Sequence, residues 1–154
     1  MNNQQLIEKF YTAFSEGDYQ AMVECYHENI VFEDPAFGQL KGSRAKSMWE
    51  MLLSQKKAQT TISFTKPEVS AGNGRTKWTA QYYYGKRPVT NKVSAQFKFQ
   101  DGKIIEHIDT FDFWKWTRQA LGFSGYLLGW TTFMQKKVQA TTKSKLDKII
   151  HGKA

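Results

Sequence analysis

From residue 60 to residue 113 apolar and polar side chains alternate with a period of two, and this alternation limits the fold more than any other feature of the chain. Four stretches carry it, TTISFTK, TKWTAQYYYG, VTNKVSAQFKFQ and KIIEHIDTFDF, separated by turns that contain Gly or Pro. Successive side chains of a strand point to opposite faces, so Trp78, Ala80, Tyr82 and Tyr84 share one face, as do Val93, Ala95, Phe97 and Phe99. Lys77, Lys92, Gln96 and Lys98 point the other way. The pattern predicts an antiparallel meander of four strands whose single apolar face must be covered by helices.

Helical spacing lies on both sides of the meander. Residues 3 to 15 place Leu6, Ile7, Phe10, Tyr11, Ala13 and Phe14 on a broad apolar face ahead of the Gly17-Asp18 turn. Tyr19 to Tyr26 reads as a second, shorter helix, and IVFED at 30 to 34 as a short strand stopped by Pro35. A third helix should run from Gly42-Ser43 to about Ser54, with Met48, Trp49, Leu52 and Leu53 buried. After residue 113 helical spacing returns, with a short helix at 113 to 121 and a long one from about 126 to 150, separated by Gly122 and Gly125. The expected plan is α+β: one domain over 1–112 and a helical extension, 113–154, packed on it.

Within the last strand, DGKIIEHIDTFDF, alternation aims Ile105, His107, Asp109 and Phe111 at one face. An imidazole and a carboxylate then share an apolar wall, which is costly unless both are hydrogen-bonded or a cavity brings water and ligand to them. Their i, i+2 spacing puts the Cβ atoms about 6.5 to 7 Å apart, close enough for a direct or bridged contact. The carboxylate would then hold one imidazole tautomer, and the ring could act as a general acid or base near neutral pH. A satisfied core pair pinning sheet and tail is the competing interpretation.

Several function classes drop out on composition. Cys25 is the only cysteine, so neither an internal disulfide nor a multi-cysteine metal site can form, and its apolar neighbours Met22 and Tyr26 point to inert packing. No apolar signal-like run follows Met1, and the expectation is a cytoplasmic protein. LGFSGYLLGWTTFM at 121 to 134 is too short and too polar to span a bilayer. His27 and His151 sit among polar residues and read as solvated, and no HxH or HxxxH spacing supports a metal site. The net charge of +8 is uneven: residues 113 to 154 carry 8 Lys or Arg against 1 acid. Without a known binding motif this charge predicts no nucleic-acid partner. A helix bearing Lys136, Lys137, Lys143, Lys145 and Lys148, with Leu127, Trp130, Met134, Val138, Leu146 and Ile149 as its apolar stripe, packs on the domain or meets a membrane or acidic partner.

AFSEGDYQAMVECYHENIVFEDP at 13 to 35 and FKFQDGKIIEH at 97 to 107 occur in an order that resembles the SnoaL-like branch of the nuclear transport factor 2-like superfamily, which includes ketosteroid isomerases. The resemblance covers about residues 4 to 113, and the tail resembles an extension found on a bacterial subgroup. It implies a cystatin-like cone in which three N-terminal helices close over a strongly curved antiparallel sheet, two appended helices, and a homodimer formed through the sheet. Asp34 falls where the isomerases place the carboxylate that moves a proton between substrate carbons. An Asp before Pro is also ordinary turn chemistry.

The isomerases need two neutral oxyanion donors, and here those positions read Phe10 and Ala95. Losing one comparable donor is worth roughly 3 kcal/mol in other enzymes, so true steroid isomerisation is not expected. Tyr11 projects about 100° away from Phe10 around the helix and is no simple substitute. SnoaL-type cyclases use pocket acids and bases without metal or cofactor, and the resemblance implies the same here. Epoxide hydrolases of the superfamily use an Asp-Arg-Asp arrangement, for which no inward strand position supplies an Arg.

The expectation is a cofactor-free isomerase, cyclase or lyase acting on a small hydrophobic molecule. Asp34 moves the proton, His107 is its partner and Asp109 orients His107, while Trp49, Trp78, Tyr82, Tyr84, Phe97 and Phe111 line the pocket. The alternative is a non-catalytic module that binds a hydrophobic ligand. Substituting Asp34 or His107 by Ala separates the two, since an enzyme loses turnover while keeping much of its ligand affinity. A structure in which either group is buried against solid packing removes the enzyme reading of this pair.

Overall fold

The computed structural model describes residues 1–54 and 60–152. Helix α1 (Asn3–Glu16) starts at Asn2, whose side chain accepts the Gln5 N–H at 2.8 Å while the Gln5 side chain accepts the Asn2 N–H at 2.9 Å. This reciprocal cap satisfies donors that the first turn leaves open. The helix buries the face its spacing predicts and stops at Gly17, where φ is +77° and a Cβ would be strained. Asp18 caps α2 (Tyr19–Glu24) by accepting the Ala21 N–H.

Strand β1 (Tyr26–Asp34) begins four residues before the predicted one and takes Tyr26 out of the helix. The reason is tertiary: the Ile104 N–H donates to the Cys25 carbonyl at 2.8 Å, and Tyr26 pairs with Ile104. β2 (Gly38–Lys41) folds back on β1, and α3 (Ser43–Ser54) follows as expected. Its buried face is Ala45, Met48, Trp49 and Met51, whereas Leu52 is exposed.

The remaining strands are β3 (Thr61–Phe64), β4 (Glu68–Ser70), β5 (Asn73–Tyr84), β6 (Arg87–Gln100) and β7 (Lys103–Thr110). The sheet order is β2-β1-β7-β6-β5-β3, with β4 added on β5. The predicted meander is present as antiparallel β3-β5-β6-β7, and β1 joins it parallel to β7. Helices α1 to α3 cover the apolar face of this curved sheet, which makes the fold α+β.

One register detail corrects the sequence reading. Lys98 pairs with Glu106 and Phe99 with Ile104, so Ile105 is the extra residue of a β-bulge. Ile104 is therefore the fully buried neighbour along the strand, and Ile105 is only partly covered. His107 and Asp109 keep the inward face.

The tail forms three helices where two were expected. α4 (Phe113–Leu121) is capped by Asp112, α5 is Phe123–Leu128, and α6 (Thr132–Gly152) begins after Thr131, whose hydroxyl accepts the Met134 N–H at 3.1 Å. Leu127 and Trp130, expected on the buried stripe of one long helix, lie outside α6 and are exposed. α6 lies across the β1-β2 turn. Gln135 and Gln139 donate to the Pro35 carbonyl, Thr142 donates to that of Ala36, and Arg44 pairs with Asp147. Leu146 is fully buried in the main core, so this end of the extension is packed on the domain.

Candidate functional site

Strand β7 sets the centre of the molecule. Its register places His107 between Phe97 on β6 and Phe32 on β1, and Asp109 opposite Ala95. Both polar side chains point into the helix-covered face and are buried. Such a pair is tolerated only if its hydrogen bonds are made, and a chain of five side chains makes them. Trp49 Nε1 donates to the Tyr26 hydroxyl at 2.9 Å, that hydroxyl lies 2.7 Å from His107 Nδ1, and His107 Nε2 lies 2.8 Å from Asp109 Oδ1. Trp78 Nε1 also donates to Asp109 Oδ1, at 3.3 Å.

The donors fix the proton positions. An indole N–H can only donate, so the Tyr26 oxygen accepts from Trp49, and because Asp109 can only accept at Nε2, a singly protonated ring takes the Tyr26 proton at Nδ1. His107 then carries its proton on Nε2 and donates it to Asp109. This assignment follows from the bonding network. The ring is also enclosed: Phe97 has its centroid 4.5 Å away, Phe32 5.1 Å, Phe10 5.5 Å and Tyr26 6.1 Å, while Trp49 stacks at 6.3 Å.

Asp34 occupies a different place. It ends β1 beneath α6, with its Oδ1 accepting the N–H groups of Ala36 at 2.9 Å and Phe37 at 2.6 Å. This is the turn chemistry expected of an Asp before Pro. The carboxyl is nevertheless unusual, because burial raises its pKa to about 7, against the lowering effect of the Phe37 amide and with the Asp109 charge adding to the rise. It is partly exposed, unlike His107.

The expected pocket residues divide into three groups. Trp49, Trp78 and Phe97 surround the buried network. Tyr82 and Phe111 are partly buried, and the Tyr82 hydroxyl accepts from Trp116 Nε1 at 2.7 Å. The Asp34 charge raises the Tyr82 pKa further after burial has done so. Tyr84 is exposed and packs on the outer side of Trp116, away from the others.

His107 and Asp109 are in direct contact as expected, but the imidazole is packed among rings, and among the described residues its hydrogen bonds go to Tyr26 and Asp109 while those of Asp34 go to Ala36 and Phe37. Two surface depressions, of about 430 and 520 Å³, lie elsewhere: one is lined by Arg87 and α4, the other by residues of α2 and β1. Neither is lined by Asp34, His107 or Asp109.

Two residues of the site escaped the sequence reading. Tyr26 was placed on a helix, and only the parallel pairing of β1 with β7 brings its hydroxyl to His107. Tyr11 was set aside, yet its buried hydroxyl has no hydrogen-bond partner among the described residues, and its pKa is raised by burial first and by Asp109 second. Cys25 is packing: its thiol contacts the Ala21 carbonyl and burial pushes its pKa to about 11. His27 is not solvated as expected, since its side chain is mostly covered and faces Asp101 at 3.3 Å. The strand arginines Arg75 and Arg87 are exposed, so neither reaches the network.

The model of the SnoaL-like domain matches residues 7–107, from α1 to the imidazole of the network. The chain belongs to the SnoaL-like family. The match ends before α4, so the helical extension lies beyond it. Among curated proteins no relative matches the sequence.

Solved structures share the fold at low identity. A nuclear transport factor 2-like protein of unknown function from Burkholderia pseudomallei is 17% identical, with a TM-score of 0.67 over 78% of this chain and 98% of that one. An LEH-like epoxide hydrolase from M. tuberculosis is 20% identical, with a TM-score of 0.60 over 80% and 92%. A protein described as a candidate polyketide cyclase from Xanthomonas campestris is 17% identical, with a TM-score of 0.60 over 77% and 99%. These likenesses establish the cone-shaped fold of the SnoaL-like family, and one fold carries several chemistries.

Proposed function

We propose that this protein is a cofactor-free acid–base enzyme, an isomerase, cyclase or lyase, acting on a small hydrophobic carbonyl compound. The observation that carries the proposal is Asp34, a carboxyl held at the end of β1 beneath α6, where burial raises its pKa to about 7. A general base or acid works best when its pKa lies near the working pH. Both recorded hydrogen bonds go to Oδ1, which fixes the carboxyl and leaves Oδ2 to take a proton from substrate and return it.

A developing enolate also needs a neutral donor. Phe10 and Ala95 supply none, but Tyr82 feels the Asp34 charge and uses its oxygen to accept from Trp116, so its own proton is available. Its raised pKa keeps it a donor at neutral pH. His107 and Asp109 act as positioning residues: they hold Tyr26, Trp49 and Trp78 in place and keep a carboxylate near enough to raise Asp34. Trp78, Phe111 and Tyr82 would form the apolar wall for the ligand.

One observation favours the alternative, a module that binds such a ligand without turning it over. The buried, unpartnered Tyr11 hydroxyl would gain a bond from a ligand acceptor, and the enclosed imidazole takes no part in that reading. Deuterium exchange at the enolisable α′ and γ carbons of 2-cyclohexenone, followed by NMR in D2O, separates the two. The enzyme should accelerate exchange, and Asp34→Asn should remove the acceleration. Exchange by the Asn variant at the wild-type rate would assign the chemistry elsewhere.

A further inference from the structure

Helix α5 is packed inside out for a helix of a soluble domain. It meets α4 through its glycines: a Cβ at Gly125 would lie 2.0 Å from the Thr117 carbonyl oxygen, and one at Gly129 would lie 1.9 Å from Thr117 Oγ1. The two backbones therefore touch where side chains normally intervene. The large apolar side chains of α5 and of the chain just after it are turned outward: Phe123 is 77% exposed beside Tyr126, Leu127 and Leu128, and Trp130 in the following turn and Phe133 at the start of α6 are 69% and 71% exposed. Scattered exposed apolar residues need no explanation, but a contiguous run of this size does.

Positive charge borders the run. Arg87, Pro88, Lys115, Arg118 and Gln119 line the depression of about 430 Å³, which holds three cations and no carboxylate among the described residues. The Arg118 guanidinium lies 4.2 Å from the Trp114 ring centroid, and Trp114 Nε1 donates to the Tyr126 carbonyl of α5 at 3.1 Å. Arg118 Nε is buried without a hydrogen-bond partner among the described residues. Arg87 reaches the other end of α5, since a Cβ at Gly122 would lie 3.0 Å from its Cζ. The depression and the apolar run are thus adjoining parts of one surface.

We propose that this surface docks on an anionic lipid bilayer, with Phe123, Trp130 and Phe133 entering the interfacial layer and the Arg87, Lys115 and Arg118 depression receiving a lipid phosphate. Aromatic side chains flanked by Lys and Arg match the chemistry of the headgroup region. Charge selects lipid over a second copy of the chain: two such surfaces face to face would bring their cations together, and the one acid of the extension, Asp147, is paired with Arg44. Docking is peripheral, because no described helix is long and apolar enough to cross a membrane. The basic part of α6 is not the docking element, since Met134 and Leu146 face the body.

Co-sedimentation of the full chain with vesicles tests this, using phosphatidylcholine alone and an equal mixture of phosphatidylcholine and phosphatidylglycerol. Binding should require the anionic lipid, fall as salt is raised, and drop at least about tenfold in the triple variant F123S/W130S/F133S. Lys115→Glu should weaken it in the same direction. The three aromatics are exposed, so the triple variant should keep the wild-type melting temperature; should it not, F133S alone carries the comparison. Absence of binding to the mixed vesicles, or equal binding by wild type and the variants, would overturn the proposal. So would a dimer that the substitutions dissociate in a protein that leaves the vesicles in solution, which would assign the surface to a second copy.

Discussion

His107 Nε2 lies 2.8 Å from Asp109 Oδ1 on the same strand, and both side chains are shut away from solvent. The contact is one link of a chain running from Trp49 through Tyr26, His107 and Asp109 to Trp78. Removing a member leaves buried donors or acceptors without partners, which costs more than the bond itself contributes. Asp109→Ala should therefore destabilise the protein by about 3 kcal/mol, and Asp109→Asn by less, because the carboxamide oxygen can still accept from His107 and Trp78. Urea denaturation measures both. A change in Asp109→Ala below about 0.5 kcal/mol would mean the network contributes little to folding.

Asp34 makes the opposite contribution to stability. Its folded pKa of about 7 lies above the 3.8 of an unperturbed Asp, so between these values the native state binds the proton more tightly than the unfolded state does. Stability contributed by protonated Asp34 is thus greatest below pH 3.8 and is lost as pH rises through 7. At 1.36 kcal/mol per unit the loss is at most about 4 kcal/mol. Asp34→Asn keeps an acceptor for the Ala36 and Phe37 amides and cannot ionise. It should match the wild type near pH 4 and exceed it in stability at pH 8, as read by thermal melts at the two pH values. Equal stability at pH 8 would place the carboxyl in ordinary solvent.

How much of this was legible before folding depends on whether the signal was local. The meander was legible because alternation from Trp78 to Tyr84 and from Val93 to Phe99 is a property of each strand alone. The pairing of His107 with Asp109 came from the same rule. The bulge at Ile105 was not legible, since Ile104 and Ile105 are both apolar and only the register with β6 decides which turns inward. Tyr26 was hidden for a related reason: its neighbours Met22 and Cys25 continue a helical pattern, and the parallel pairing with β7 overrides it. Phe111 and Tyr84 show the limit of the face rule, which groups them with core residues but cannot say where the helical cover ends.

The tail offers a second lesson that can be tested. In sequence Gly125 reads with Gly122 as a break between two helices, but Gly125 and Gly129 form the contact surface of α5 on Thr117. Gly125→Ala should force α5 off α4, because the obstructing atom is a backbone carbonyl oxygen that cannot swing away. Faster hydrogen exchange over residues 122 to 131, with the rest of the chain unchanged, would report this. Wild-type exchange in the variant would show that the helices already sit further apart.

The seat of α6 on the domain is testable through Leu146, which is fully buried in the main core. Leu146→Ala should cost about 3 kcal/mol from lost transfer energy and the cavity left behind. If the melting transition stays single and moves down, the extension and the domain fold as one unit. An unchanged melting temperature would mean that α6 contributes nothing to the core.

The central claim is that Asp34 titrates near neutral pH and can both take and return a proton there, and an NMR titration of its side-chain carbon in carbon-13-labelled protein tests it without knowing the substrate. Asp34→Asn identifies the signal. The expected midpoint is near 7, set by burial of the carboxyl at the end of β1. A midpoint near 4, the range of a solvated carboxylate, would contradict it.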